Sequence, residues 1–262
     1  MVYPLYQVDA FTSAVFGGNP ACVVPLKEWL PDEVLLKITQ ENAVAETAFF
    51  IPQAEGFQLR WFTPEIEMDL CGHATLATAH VLQAHLGHTA FPVQFHTASG
   101  LLSVDYQNGF YHLDFPSRMP VPAELPAEIW QALSIPPKAI LKARDYVLVY
   151  ESESDIRNME VDRQVLDQIN LDPGGVVVTA PGDRVDFVSR FFTPQASILE
   201  DPVTGSAHCS LIPYWAGQLG KSTLSALQLS DRVGSLQCED REDRVQISGQ
   251  AVTYLKGELY LP

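Results

Sequence analysis

Phe57-Gln58-Leu59-Arg60-Trp61-Phe62-Thr63-Pro64 returns 130 residues later as Phe187-Val188-Ser189-Arg190-Phe191-Phe192-Thr193-Pro194. A Phe-x-x-Arg-x-Phe-Thr-Pro match of this length points to a duplicated unit. Downstream, Gly72-His73-Ala74-Thr75-Leu76 is answered by Gly205-Ser206-Ala207-His208-Cys209 at an offset of 133, and Ala98-Ser99-Gly100 by Arg232-Val233-Gly234 at 134. Slowly growing offsets are what loop insertions between two copies of one unit produce.

Working outward from the repeats, the Ala- and Leu-rich stretch 75–86 reads as a buried helix, and 206–219 reads likewise with a kink expected at Pro213. Length and β-branched or aromatic content make strands of 58–62, 101–106, 110–115, 146–150 and 176–180. Residues 31–42 have the pattern of an amphipathic surface helix. Each half is then a curved sheet around one central apolar helix. The boundary is expected where prolines gather in 117–126, giving lobes of 1–118 and 119–262.

Composition narrows the classes of function. Of the 262 residues, 47% are hydrophobic and 18% charged, enough apolar surface for a compact core, and the length allows two domains. The opening lacks a basic stretch and an apolar run before Asp9, so no signal peptide and a soluble, cytoplasmic protein are expected. Residues 70–104 carry no Asp, Glu, Lys or Arg, but their Gly, Gln, Pro and His do not suit a spanning helix. A formal charge of −16 opposes binding to nucleic acid or an anionic membrane. It would also repel a carboxylate ligand at long range, so such a ligand must be held by short-range donors. Cys22, Cys71, Cys209 and Cys238 are scattered, and His80, His85 and His88 have no ligand spacing, so neither a zinc site nor a disulfide framework is expected.

Short-range donors are available where each central helix begins after a glycine, because a helix N-terminus presents unpaired N–H groups and positive partial charge. Two such starts, at Gly72 and at Gly205-Ser206, facing one another across a crevice would clamp a carboxylate; alternatively, each glycine only permits a tight turn. Asp201, four residues before Gly205, reads as a helix cap or as a group acting on substrate. His73 follows Gly72, where the positive helix end would bias its ring towards neutral, able to give or take a proton. Glu46 lies between the apolar runs of Ala43-Val44-Ala45-Glu46-Thr47-Ala48-Phe49-Phe50. Burial would raise its pKa and make it an acid–base catalyst, while a strand-end surface glutamate is the plainer reading.

Asp9-Ala10-Phe11-Thr12 with Gly18-Asn19-Pro20, Glu46-Thr47-Ala48-Phe49, Phe62-Thr63-Pro64, Gly72-His73-Ala74-Thr75-Leu76 and Asp201-Pro202-Val203-Thr204-Gly205-Ser206-Ala207-His208 occur here in one order. Together they resemble the PhzF phenazine-biosynthesis-like proteins, which have the diaminopimelate epimerase-like fold. The resemblance implies an α+β chain of two pseudo-symmetric lobes, each a curved, mostly antiparallel sheet wrapped around a central helix, with no metal and no organic cofactor. In the phenazine isomerase, a glutamate matching Glu46 shuttles a proton between carbons of a cyclic dihydroxy acid. The resemblance makes Glu46, His73 and Asp201 catalytic candidates. It makes Asn19, Gly72, Gly205 and Ser206 substrate-binding candidates. Related epimerases use one cysteine from each half; Cys71 stands where the first is expected, but Asp201 occupies the comparable loop of the second half, with Cys209 one helical turn beyond Gly205. Cys71 could be activated at the helix start or could be small buried filler.

The reading that results is a cofactor-independent isomerase shifting a proton on a small carboxylate-bearing metabolite, a fold that transfers more securely than its substrate. The competing readings are an amino-acid or hydroxy-acid epimerase or racemase with two opposed bases, and a non-catalytic metabolite-binding protein. The expected partner is the small-molecule substrate, with no nucleic acid and no membrane, and a homodimer is compatible with all three readings.

Overall fold

The computed structural model describes residues 1–171 and 174–261. The chain begins with β1 (Val2–Ala10), β2 (Asn19–Pro25) and α1 (Asp32–Asn42), followed by β3 (Glu46–Pro52), β4 (Phe57–Phe62), β5 (Glu67–Met68), α2 (Gly72–His85), β6 (Val93–Thr97), β7 (Gly100–Gln107) and β8 (Phe110–Pro116). There follow β9 (Val121–Pro122), α3 (Ala127–Ala132), β10 (Ala139–Lys142), β11 (Tyr146–Val149), α4 (Glu153–Arg157), α5 (Arg163–Leu166), β12 (Val176–Pro181) and β13 (Phe187–Phe192). The last elements are β14 (Glu200–Asp201), α6 (Gly205–Leu219), β15 (Thr223–Gln228), β16 (Gly234–Arg241), β17 (Arg244–Gly249) and β18 (Ala251–Tyr260). They form two compact units, Met1–Asp114 with Ser248–Pro262, and Phe115–Ile247.

The units repeat one pairing scheme. In the first, β1 pairs antiparallel with β2, β2 parallel with β3, β3 antiparallel with β4, β4 antiparallel with β5 and parallel with β6, and β6 antiparallel with β7. In the second, β10, β11, β12, β13, β14, β15 and β16 repeat every one of these senses in the same order. The repeated sequence motif falls on β4 and β13, and its Arg explains why the motif persists. Arg60 makes a two-pronged bond to Glu67 and lies over the Phe62 ring at 5.1 Å; Arg190 does the same with Glu200 and Phe192 at 5.0 Å. Each clamp ties the strand to the short strand that pairs with it. The loop closed by Thr63 N–H on Ile66 O is three residues shorter than the one closed by Thr193 N–H on Leu199 O, which accounts for the step in offset from 130 to 133.

Both central helices are buried on nearly every side. In α2, Gly72 to Ala79, Val81 and Leu82 are buried, and the hydroxyls of Thr75 and Thr78 bond back to the carbonyls of Cys71 and Ala74 at 2.6 and 2.8 Å, leaving an apolar outer surface. α6 is assigned as one helix through Pro213. Helix α1 packs Leu35 and Ile38 on Val24, Phe49 and Phe62, covering β2 to β4 on one side, while α2 packs on β1, β2 and β3.

The expected division at 118/119 differs from these units in the last strand. β18 runs antiparallel along all of β1, from Val2 opposite Tyr260 to Ala10 opposite Ala251, so the C-terminal segment belongs with the first unit. Without it β1 would present an unpaired edge.

Candidate active site

Three local features bring side chains to the start of α2. Gly18 has a left-handed φ of +59°, and a Cβ there would lie 2.0 Å from the carbonyl oxygen of Ala10, so only glycine permits the close turn that opens β2 with Asn19 opposite Ala10. Ala43, left-handed at φ 51°, ends α1 and redirects the chain so that Glu46 becomes the first residue of β3, opposite Ala21 in β2. Cys71 is extended (φ −142°, ψ 105°) and leads into α2, whose N-terminus has no side-chain cap.

The three segments converge on the His73 ring. Its Nε2 lies 3.1 Å from Oε2 of Glu46, near enough for an ion pair though not aligned as a hydrogen bond. Its Nδ1 lies 3.2 Å from Nδ2 of Asn19 and 3.6 Å from Sγ of Cys71. His73 is 3% exposed, Cys71 6% and Asn19 0%, while the Glu46 side chain retains 16%. Among the described residues, Glu46, Cys71 and His73 are the group whose carboxylate, thiol and imidazole donors could hold a metal ion, all within 4.8 Å of one another. The thiol lies at one ring nitrogen and the carboxylate at the other. That order suits movement of a proton through the ring better than convergence on one ion, which needs donors grouped about a single point.

One electrostatic expectation is reversed. The positive helix end was expected to keep His73 neutral, and burial does oppose its charge. The adjoining Cys71 and Glu46 outweigh burial and hold its pKa well above the ordinary histidine value. Cys71 was a candidate for activation at the helix start, but burial, reinforced by the Glu46 carboxylate, pushes its thiol up.

Asp201, Gly205 and Ser206 lie in the second unit. Asp201 is the last residue of β14, opposite Phe191. Its carboxylate accepts from the Thr204 hydroxyl, and its carbonyl accepts from Gln228 Nε2 at 2.8 Å. The other end of that Gln228 amide accepts the Thr204 N–H at 2.8 Å, which fixes the turn before Gly205. Gln228 had no sequence signal, since it arrives from β15 beyond the whole of α6. His208, one turn into α6, donates through Nδ1 to Thr204 O at 2.9 Å, and burial lowers its pKa to about 4. It repeats the bond that Thr75 makes to Cys71 O in α2.

The remaining histidines considered from sequence are structural. His80 bonds Tyr111 OH at 3.0 Å and Thr253 Oγ1 at 2.8 Å, and His85 bonds the same Thr253 oxygen at 2.7 Å, tying α2 to β18. His88 stacks edge-on with Phe57. No helix among the described residues is long and apolar enough to cross a membrane.

Known proteins share this frame. The profile of the phenazine biosynthesis-like protein family matches residues 8–257. A protein of Pseudomonas aeruginosa named an uncharacterized isomerase is 47% identical over 261 residues, covering all of both chains. The crystal structure of a PhzF-family phenazine biosynthesis protein from Enterococcus faecalis is 46% identical, covers all of both chains and superposes with a TM-score of 0.95. A hydroxyproline epimerase from Agrobacterium vitis, solved with trans-4-hydroxy-L-proline bound, is 10% identical. It matches 98% of this chain and 92% of its own with a TM-score of 0.64, a likeness of fold. With a profile match over nearly its whole length and relatives of this identity, the chain belongs to the phenazine biosynthesis-like, or PhzF, family.

Proposed function

We propose that the protein is an isomerase that moves a proton between carbons of a small carboxylate-bearing metabolite by general acid–base catalysis, without a cofactor. The observation that carries this reading is the 3.1 Å approach of Glu46 Oε2 to His73 Nε2 in a nearly dry setting at the start of α2. Glu46 takes the proton from a carbon next to the carboxylate, and the electrons move into the adjoining π system. Glu46, in exchange with solvent, then delivers a proton to a different carbon, so substrate and product have the same composition and oxidation state. His73 steadies the Glu46 carboxylate and offers a ring N–H to the electron-rich intermediate. The uncapped N–H groups at the start of α2 suit a carboxylate, which the net charge of −16 would otherwise keep away. Asp201, Gly205 and Ser206 are assigned substrate contacts on the family match. The isomerase name of the 47% identical relative supports the reaction class.

One observation favours a second reading, an epimerase. Cys71 Sγ reaches the opposite nitrogen of the same ring, so a thiol is available as a second proton carrier. Incubating the protein with cell-metabolite extract in D₂O and following the extract by mass spectrometry separates the readings. The isomerase places one deuterium in a metabolite that changes into a structural isomer. The epimerase labels a metabolite and inverts its configuration. A metabolite that stabilises the protein thermally but gains no deuterium would make it a binding protein and overturn both.

A further inference from the structure

We propose that Asn19 is a positioning residue that sets which nitrogen of neutral His73 carries the proton. Asn19 opens β2 directly after the turn that Gly18 alone can make, so its side chain is delivered to the ring by backbone geometry. It has no exposed surface, and its amide nitrogen lies 3.2 Å from His73 Nδ1. The other group at Nδ1 is the Cys71 thiol at 3.6 Å, whose pKa burial raises. An amide nitrogen can only donate, and a neutral thiol donates as well, so Nδ1 of the neutral ring meets Asn19 with its lone pair. The one proton of the neutral ring then sits on Nε2, the nitrogen 3.1 Å from Glu46.

A histidine's role depends on which nitrogen its second partner leaves protonated, as the orienting carboxylates of hydrolytic triads and metal-bound histidines illustrate. Here the partner is an amide donor and the outcome is the opposite tautomer. With the proton on Nε2, the positive end of the N–H dipole lies on the Glu46 side of the ring, which steadies the ionised carboxylate and leaves it the proton acceptor. With the proton on Nδ1, the lone pair of Nε2 would face the Glu46 oxygen and drive the two apart. The charged groups at the ring are Glu46 at Nε2 and, when ionised, Cys71 at Nδ1. The use of this tautomer in catalysis rests on the proposed function, but the tautomer itself does not.

The test is a two-bond ¹H–¹⁵N correlation spectrum of the full chain labelled in histidine, recorded above the titration of His73, with His73→Gln identifying its signals. The wild type is expected to show a protonated Nε2 and a bare Nδ1. In Asn19→Asp the new carboxylate accepts from Nδ1, so the tautomer should reverse and the titration midpoint should rise by about one pH unit. Asn19→Ala should give a mixture of the two tautomers. A wild-type ring protonated at Nδ1 would overturn the proposal, as would Asn19 variants whose His73 signals match the wild type. If Asn19→Asp fails to fold, the wild-type spectrum and Asn19→Ala still decide the matter. Deuterium transfer lost with the tautomer intact would count against the isomerase reading alone.

Discussion

The starts of α2 and α6 occupy equivalent places in the repeated frame, and their chemistry differs. In the first unit Thr47 pairs with Phe62, and in the second Val176 pairs with Phe192, so Glu46 corresponds to Gly175. By the same count Cys71 and His73 correspond to Thr204 and Ser206. The arginine clamps, strand senses and central helices were kept, while the titratable cluster exists at one helix start. The second start holds a hydrogen-bonded Asp201–Thr204–Gln228 turn. Duplication thus left a rigid frame in both units, and the side chains at the two helix starts diverged within it. The unit with Glu46 is expected to carry the proton, and the other to contact substrate.

The largest test of that contrast is Glu46→Gln, which keeps the volume and removes the ionisable oxygen. Deuterium transfer should fall roughly 10²- to 10⁴-fold with ligand-induced thermal stabilisation retained. Asp201→Asn should cost less, and an equal loss would break the comparison. Next is Gly175, where a Cβ would lie 2.5 Å from Phe191 Cζ and 2.8 Å from Phe192 O. Gly175→Ala should lower unfolding free energy by about 1–3 kcal/mol in urea titrations, because the second unit has no room for a side chain at the position of Glu46.

The arginine clamps sharpen the comparison further. Arg190 also donates to Ile156 O and Met159 O at 3.2 and 2.9 Å, whereas Arg60 has the exposed Asp32 at 2.9 Å as its additional partner. Arg190→Ala strands two carbonyls and should cost more than Arg60→Ala, by about 1 kcal/mol in the same titrations.

The smallest effect is one of sign. Folded His73 has a raised pKa, so its contribution is full below the ordinary histidine value and is lost as pH rises through its folded pKa. Folded His208 is depressed to about 4, so between the ordinary value and about 4 the unfolded chain binds more protons and stability falls with acidification. His73→Gln should flatten the alkaline side of the stability–pH curve and His208→Gln the acidic side. The same side flattened by both would contradict the opposite settings of the two histidines.

Much of the frame was legible because it is written twice. The repeated Phe-x-x-Arg-x-Phe-Thr-Pro placed β4 and β13, and apolar composition placed α2 and α6, although both helices start at their glycines, earlier than the apolar stretches suggested. β18 was not assigned to the first unit, since pairing with β1 joins opposite ends of the sequence and leaves no local pattern. In the site, the motifs pointed to Glu46, His73 and Asn19, but the protonation of His73 was misjudged. A helix terminus can be read from neighbours in sequence; the carboxylate that outweighs it comes from another strand. Cys71 was left between filler and catalyst for the same reason, and Gln228 gave no signal at all.

The antiparallel seam of β1 and β18 has a consequence for synthesis on the ribosome. The Met1 amino group donates to Leu261 O, so the first and last strands meet end to end. After Asp114 is made, 136 more residues precede β18, roughly 7–27 s at translation rates of about 5–20 residues per second. Throughout that interval β1 is a nine-residue open edge, although everything needed to build the Glu46–His73 pair has already been translated. The nascent chain must keep that edge from pairing with another chain, and the second unit can fold in the meantime. A ribosome-stalled chain ending before Ala251 is the form in which aggregation should be sought.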